Sequence, residues 1–154
     1  MQKVIQLLKQ KYPQFSYVAG NEFQWSSEQQ TIFYSNHREQ TNSVWSLLHE
    51  LGHALLGHAS YQNDVDLLLK ESAAWIKAVQ IGDTIGITID TTHVEDCLDS
   101  YRDWLYKRSI CPVCTQHGVQ QDRNVYTCLN CRTSWSVGDD RFCRSYRKAL
   151  KKTP

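Results

Sequence analysis

The chain has 154 residues, 41% of them hydrophobic and 11% aromatic, which is enough to bury a core and excludes a chain that is disordered throughout. Its apolar runs are far shorter than the roughly 20 residues that span a bilayer, and its first residues lack the order of a signal peptide. We therefore expect a soluble, cytoplasmic protein with no membrane contact. The net charge of +1 hides an asymmetry. Residues 1–104 carry 7 Lys and Arg against 13 Asp and Glu (−6), whereas residues 105–154 carry 10 against 3 (+7), so different tasks are expected for the two parts.

The predicted elements begin with a short amphipathic helix. Apolar residues recur at helical spacing over residues 2–11, and Pro13 ends the pattern. Apolar and polar residues then alternate, with two interruptions, over residues 15–35. That alternation predicts two or three antiparallel strands, which would form a small sheet ahead of the main helices.

Three helices are predicted after this sheet. The first runs over about residues 41–58, the second over about residues 63–81 and the third over about residues 92–107. Gly82 is expected to end the second helix, and Thr92 is expected to cap the third. Helices that follow a small sheet predict an α+β fold.

A narrow polar stripe interrupts the otherwise apolar helix over residues 41–58. A solvent face would favour Lys, Gln, Arg and Glu, so this stripe fits a cleft lined by functional groups better. Its members share one helical face: Ser46, His49, Glu50, His53 and Gly57.

Within this stripe, His49, Glu50 and His53 form an H-E-x-x-H motif. The two histidines are one turn apart, so both imidazoles can bind one metal ion, and Glu50 lies beside them. Zinc with three protein ligands keeps an open position for water and lowers the pKa of that water from about 15.7 to about 7, while a glutamate takes the proton. Peptide hydrolysis is the natural use of this arrangement. The alternative is a pair of hydrogen-bonded core histidines.

The third ligand is predicted to be Glu71, not the nearby His58. In the metzincin pattern, glycine and histidine follow the second ligand by three and six residues, but Gly57 and His58 follow His53 by four and five. On a continuing helix, His58 would point away from the stripe, near the last carbonyls. Glu71 instead lies within an apolar stripe, where a bare carboxylate is costly. A buried ion pair or a rotated helix is the alternative for Glu71.

Small residues favour a close approach of these two helices, namely Gly52, Ala54, Ala73 and Ala74. A peptidase also needs a donor for the oxyanion that develops during the reaction. Three side chains are candidates by residue type, and the sequence selects none of them: Tyr61, His93 and Tyr101.

The segment "HELGHALLGH", followed 18 residues after His53 by a glutamate in "ESAAW", resembles the ImmA/IrrE-type metallopeptidases. The resemblance covers roughly residues 30–82. It implies a gluzincin-like, mainly helical zincin core with a His₂Glu zinc site, in which His49, His53 and Glu71 are ligands and Glu50 is catalytic. It also implies a regulatory protein, such as a repressor, as the substrate.

Four cysteines form two C-x-x-C pairs, Cys111 with Cys114 and Cys128 with Cys131, with 13 residues between the pairs. This spacing predicts a structural Cys₄ zinc ribbon, in which the metal supplies on the order of 10 kcal/mol of apparent folding free energy. The alternative is a set of disulfides, which the missing export signal disfavours.

The ribbon region is rich in cations and aromatic residues. Together these allow phosphate contact and base stacking, so nucleic acid is a predicted partner; a solubilising tail or a platform for an acidic protein is the alternative. The cations are Arg123, Arg132, Arg141, Arg144, Arg147, Lys148, Lys151 and Lys152, and the aromatic residues are Tyr126, Trp135, Phe142 and Tyr146.

These patterns together predict a metallopeptidase domain over residues 1–107 and a zinc ribbon with a basic tail over residues 108–154. We expect one catalytic and one structural zinc ion, and an endopeptidase whose ribbon recruits a protein substrate or nucleic acid. One alternative is a non-catalytic scaffold or nucleic-acid-binding protein with two structural zincs. The other is a SprT-like protease acting on DNA-bound proteins, which Glu71 disfavours because the third ligand there is a histidine.

Overall fold

Four helices and two small sheets make up the part of the chain that the computed structural model describes, which is residues 1–35, 41–139, 141 and 147–150. The predicted α+β class is confirmed. No helix among these residues has the length and apolar character needed to cross a membrane. The helices are α1 (Gln2–Lys11), α2 (Thr41–Leu55), α3 (Asp64–Thr84) and α4 (Thr91–Ser109), and the strands are β1 (Ser16–Gly20), β2 (Gln24–Ser26), β3 (Thr31–Ser35), β4 (Gly118–Asp122), β5 (Val125–Cys128), β6 (Ser134–Val137) and β7 (Arg147–Ala149).

The chain folds as two units. One comprises Met1–Ser60 and Leu69–Val94, and the other comprises Tyr61–Leu68 and Glu95–Pro154. The first unit therefore contains the predicted histidine motif and Glu71, and the second contains the four paired cysteines.

The sheet of the first unit has the strand order β1-β3-β2. β2 and β3 form an antiparallel hairpin, but β1 runs parallel to β3, with Ser16 opposite Thr31 and Gly20 opposite Ser35. The prediction of a wholly antiparallel sheet is therefore wrong for β1. Its chain crosses to the far edge to form β2 before it returns as the central strand. Side chains alternate identically in both strand directions, so the sequence pattern carries no information on direction.

Helices α2 and α3 approach each other closely in the core of this unit. A methyl group built on Gly52 of α2 would lie 2.5 Å from the backbone oxygen of Ala74 on α3, so only glycine fits at this contact. The predicted role of small residues is confirmed for these two positions. Ala74 is one helical turn after Glu71, and the contact therefore holds the Glu71 turn of α3 against α2.

Helix α3 begins and ends with identifiable caps. Asn63 accepts a hydrogen bond from the Asp66 N–H at 2.9 Å, as an N-cap does. The prediction that Gly82 ends the helix is wrong, because α3 continues to Thr84. Gly86 ends it with a φ of 72°, and the Ile87 N–H then bonds the Gly82 oxygen at 2.9 Å. Gly82 is needed for space, since a Cβ there would lie 2.4 Å from the Ile87 oxygen.

Helix α4 begins one residue before the predicted cap. The carboxylate of Asp90 accepts the Thr92 N–H at 2.9 Å, so Asp90 is the capping residue and the prediction of Thr92 is wrong. Glu95, three residues after Thr92, pairs with Arg102 at 2.9 Å. An aspartate two residues before the predicted cap therefore took over its function.

The second unit contains an antiparallel sheet of order β4-β5-β6-β7. Tyr126 and Trp135 stack at its centre, with ring centroids 5.6 Å apart, and both are almost fully buried. A Cβ on Gly118 would lie 2.3 Å from the Trp135 ring, so β4 can cover that ring only with glycine at this position. The stacking of bases predicted for Tyr126 and Trp135 is therefore wrong, because their faces are inside the ribbon.

Arg108 at the end of α4 is only 1% exposed. Its guanidinium lies 4.3 Å from the Trp104 ring and donates to Asn124 Oδ1 at 2.8 Å, and it pairs with Asp64 at 3.7 Å. Arg108, a cation of the basic segment 105–154, therefore lies inside the second unit and is not part of a surface patch.

Candidate functional site

Three of the predicted site residues converge between α2 and α3. His49 Nε2 lies 3.1 Å from both His53 Nε2 and Glu71 Oε2, and His53 Nε2 lies 3.6 Å from Glu71 Oε1. The two histidines are one turn apart on α2, and the Gly52 contact brings Glu71 opposite them.

The spacing of these three groups fits a bound metal ion. Ligands about 2.1 Å from a tetrahedral zinc ion are about 3.4 Å from one another. The three separations in this cluster lie between 3.1 and 3.6 Å, and all of its ligand atoms lie within 4.8 Å of one another. The donor set of two imidazoles and one carboxylate also suits zinc.

Glu71 is buried, with 7% of its surface exposed. Burial by itself would raise the pKa of its carboxyl, but hydrogen bonds and charge interactions with His49 and His53 hold that pKa well below its usual range. An ionised carboxylate directed at two imidazoles is suited to binding a cation. Trp75, one turn further along α3, covers the His49 ring with centroids 4.3 Å apart.

The two histidines differ in what their second ring nitrogens contact. Nδ1 of His49 is buried and has no hydrogen-bond partner among the residues described. Nδ1 of His53 lies 2.9 Å from Nδ1 of His58. Of the two imidazoles, that of His53 therefore has an imidazole partner at Nδ1, and that of His49 has none there among the described residues.

The prediction that His58 points away from the stripe is wrong. Helix α2 ends at Leu55, and Gly57 then adopts a φ of 65°. The His58 N–H bonds the His53 oxygen at 3.0 Å and the Gly57 N–H bonds the Ala54 oxygen at 3.1 Å, which is a Schellman ending. This turn folds the chain back, so that the imidazole of His58 reaches that of His53.

Glu50 follows His49 on α2, and a backbone N–H group of the sheet holds its carboxylate. Its Oε2 accepts a hydrogen bond of 2.8 Å from the Trp25 N–H of the edge strand β2. The indole N–H of the same tryptophan donates to the His58 oxygen at 2.8 Å. Trp25 thus contacts both Glu50 and His58, and helical periodicity gave no indication of it, since it lies 25 residues before Glu50.

The three candidates for an oxyanion donor fall in different places. His93 lies in the first unit, where its ring contacts Trp45 and Trp75 with centroids 5.0 and 5.6 Å apart. Tyr61 and Tyr101 lie in the second unit, where the guanidinium of an arginine covers each ring. Among these, His93 is the residue that shares a neighbour, Trp75, with the cluster of His49, His53 and Glu71.

The four paired cysteines form a second group that could hold a metal ion. Sulfur atoms about 2.3 Å from a tetrahedral zinc ion are about 3.8 Å apart. Cys111 and Cys131 have their sulfurs 3.6 Å apart, and Cys114 and Cys128 have theirs 3.4 Å apart. Burial raises the pKa of the Cys111 thiol to about 11, whereas hydrogen bonds with Thr133 lower the pKa of Cys131 to about 6.

Each C-x-x-C pair is made by the same local turn. Thr115 and Arg132, which directly follow the second cysteines, have φ values of 62° and 60°. Their N–H groups bond the oxygens of Cys111 and Cys128, both at 3.1 Å. Four thiols thus face one point, and this geometry fits a zinc ribbon.

The predicted basic surface is only partly described. Arg144, Lys151, Lys152, Phe142 and Tyr146 lie outside the described residues. Within them, Arg123 lies 3.9 Å from Asp139, and Arg147 donates to the Ile110 oxygen at 2.8 Å, whereas Arg132 and Lys148 are exposed.

Comparison with protein families identifies the segment that contains the histidine cluster. Neither a curated protein nor a solved structure matches the chain. A family model described as Peptidase_M78, the IrrE N-terminal-like domain, matches residues 9–78, less than half of the chain. That segment includes His49, Glu50, His53 and Glu71. The resemblance to the IrrE-type metallopeptidases is therefore confirmed for residues 9–78, which match a family of peptidase-like domains.

Proposed function

We propose that this protein is a zinc-dependent endopeptidase with a zincin-like core. The observation that carries the proposal is the convergence of His49, His53 and Glu71 within 4.8 Å, beside Glu50 on the same helix. The family match over residues 9–78 supports it independently. Two zinc ions per chain are proposed, one at this cluster and one at the four cysteines.

Each group at the cluster has a distinct chemical role. His49 and His53 would hold zinc through Nε2, and Glu71 through its carboxylate. Bound zinc supplies an open position that acidifies water and polarises a peptide carbonyl. Glu50 acts as the general base that takes the proton from the attacking water and returns it to the leaving amine. The hydrogen bond from the Trp25 N–H fixes the orientation of the Glu50 carboxylate.

The proposed substrate is a regulatory protein, such as a repressor, as the family resemblance implies. In this proposal, residues 1–107 cleave and the ribbon of residues 108–154 recruits the substrate. The ribbon suits recruitment because its four cysteines would close their zinc ion completely, with no open position for chemistry. A SprT-like protease remains disfavoured, because a carboxylate, Glu71, completes the histidine cluster.

The direct test compares the wild-type chain with Glu50→Gln. The variant is expected to keep two zinc ions per chain and to lose cleavage, because the amide cannot take a proton. Zinc content by mass spectrometry and proteome comparison of cells that carry each form measure both quantities. Glu28→Gln, at an exposed glutamate, is the matched control. A Glu50→Gln proteome identical to wild type would instead support the non-catalytic scaffold with two structural zincs.

Nucleic-acid recruitment by the ribbon is a separate proposal, supported by the +7 balance of residues 105–154 and by exposed Arg132 and Lys148. The full chain should bind single-stranded DNA with an affinity that falls as salt rises. The double change Arg132→Glu and Lys148→Glu should weaken binding and reduce the salt dependence. Absence of binding even at low salt would contradict the proposal and favour a protein partner.

A further inference from the structure

We infer that His58 is a positioning residue for the zinc ligand His53. The inference rests on the proposed zinc site and adds a group outside the ligand set. His53 directs Nε2 toward His49 and Glu71, and its other nitrogen, Nδ1, lies 2.9 Å from Nδ1 of His58. His58 is thus placed behind the ligand, on the side away from the cluster.

The chemistry of the imidazole assigns the direction of this hydrogen bond. A neutral histidine that ligates zinc through Nε2 carries its proton on Nδ1. His53 therefore donates from Nδ1, and His58 accepts at its own Nδ1 and carries its proton on Nε2. Such a partner fixes both the tautomer and the ring orientation of the ligand, and its loss typically weakens metal affinity by about 10- to 100-fold.

His58 is itself held at two points of its backbone. The Schellman ending binds its N–H to the His53 oxygen at 3.0 Å, and the left-handed Gly57 makes this turn possible. Its own oxygen accepts the indole N–H of Trp25 at 2.8 Å. A residue fixed in this way can hold the ring of another, and an exposed, mobile histidine could not.

Trp25 also connects this arrangement to Glu50. Its backbone N–H bonds the Glu50 carboxylate, while its indole N–H bonds His58. The proposed general base, Glu50, and the residue that positions His53 are therefore both hydrogen-bonded to Trp25 of β2. His49, the other ligand, has no comparable hydrogen bond among the described residues and is held by ring contact with Trp75.

Two variants separate a positioning role from simple packing. His58→Leu keeps bulk at a position where a Schellman ending commonly has an apolar residue, but removes the acceptor. His58→Asn places the amide oxygen where Nδ1 was and restores an acceptor. We expect His58→Leu to weaken zinc affinity at the histidine cluster by about 10- to 100-fold and His58→Asn to recover most of it. His53→Ala is the positive control and should lose the site.

Zinc dissociation constants from chelator competition on the full chain measure this effect without reference to cleavage. Cobalt substitution distinguishes the two sites, because only a four-cysteine site gives sulfur-to-cobalt charge-transfer bands. Equal affinity in wild type and His58→Leu, with loss in His53→Ala, would overturn the role of His58 and leave the proposed function standing. Equally weak affinity in His58→Leu and His58→Asn would also overturn it, because packing alone would then explain the loss. A wild-type chain that binds metal only at the cysteines would contradict the zinc site itself.

Discussion

The two candidate metal-binding clusters are built in opposite ways. In the histidine cluster, His49 of α2 and Glu71 of α3 are 22 positions apart in the chain. An apolar core already holds these two helices together. The cysteine cluster joins two short turns, and two of its own thiols, those of Cys111 and Cys128, belong to the core of the ribbon. We therefore expect a metal at the first cluster to add chemistry to an existing fold, and a metal at the second to supply much of its fold.

The symmetry of the clusters differs as well. The cysteine pairs repeat one turn, with matching left-handed residues and matching hydrogen bonds. In the histidine cluster each of the three groups has a different support, since His53 is contacted by His58, His49 by Trp75, and Glu71 by the two histidines. Four equivalent donors complete a tetrahedral ion, while three unequal ones leave a position for a reactant.

Loss of one ribbon cysteine should cost the chain both a metal ion and the fold around it. Cys128→Ser should remove one zinc ion and unfold the ribbon, because apparent zinc binding supplies on the order of 10 kcal/mol in such modules. The near-ultraviolet signal of buried Trp135 and the zinc content measure this. Cys97→Ser, outside the pairs, is the control and should keep both zincs. A ribbon that stays folded after Cys128→Ser would show that its metal is not structural.

The next largest effect concerns the first cluster. Glu71→Ala should weaken zinc affinity there by more than about 100-fold, since a ligand matters more than a group behind it, while far-ultraviolet helical signals persist. Zinc content should fall from two per chain to one. Ser72→Ala on the same turn of α3 is the matched control. Unchanged metal content in Glu71→Ala would make the ligand assignment wrong.

The sequence could predict what depends on local spacing. The i and i+4 histidines, the misplaced carboxylate of Glu71 and the paired cysteines were all visible there, and the structure brings each group together. The class of fold was predictable for the same reason, because helical and alternating periodicities are local.

The features that the sequence could not predict depend on where the chain turns. Gly57 was noticed as a member of the polar stripe and as a misfit to a longer motif, yet its left-handed φ of 65° brings His58 back to His53. Asp90 displaced Thr92 as a cap because several polar residues near a helix start can compete for the same N–H groups. The direction of β1 and the contact of Trp25 with Glu50 depend on chain crossings that no local pattern records.

A substitution at the contact of α2 with α3 should have a smaller effect, and it tests whether the fold holds the histidine cluster in place without metal. Gly52→Ala places a methyl group 2.5 Å from the Ala74 oxygen, so α2 and α3 must separate. Overpacking of this kind costs about 1 to 3 kcal/mol, and the shift of Glu71 should weaken zinc affinity as well. Thermal unfolding of the metal-free chain and chelator competition measure the two effects. Gly20→Ala, where the new methyl would lie 3.8 Å from Phe33, should change neither.

The smallest effect concerns the turns of the cysteine cluster. Thr115 is β-branched and has a φ of 62°, a conformation that costs non-glycine residues about 1 to 2 kcal/mol. Thr115→Gly removes that strain, although it also loses the hydrogen bond of the hydroxyl to the Cys114 oxygen. The zinc-loaded ribbon should therefore be stabilised by about 1 kcal/mol toward chemical denaturation. Thr127→Gly, in the middle of β5, should destabilise it instead, because a strand gains nothing from glycine. A loss of stability in both variants would mean that the Thr115 hydroxyl contributes more to this turn than its backbone strain costs.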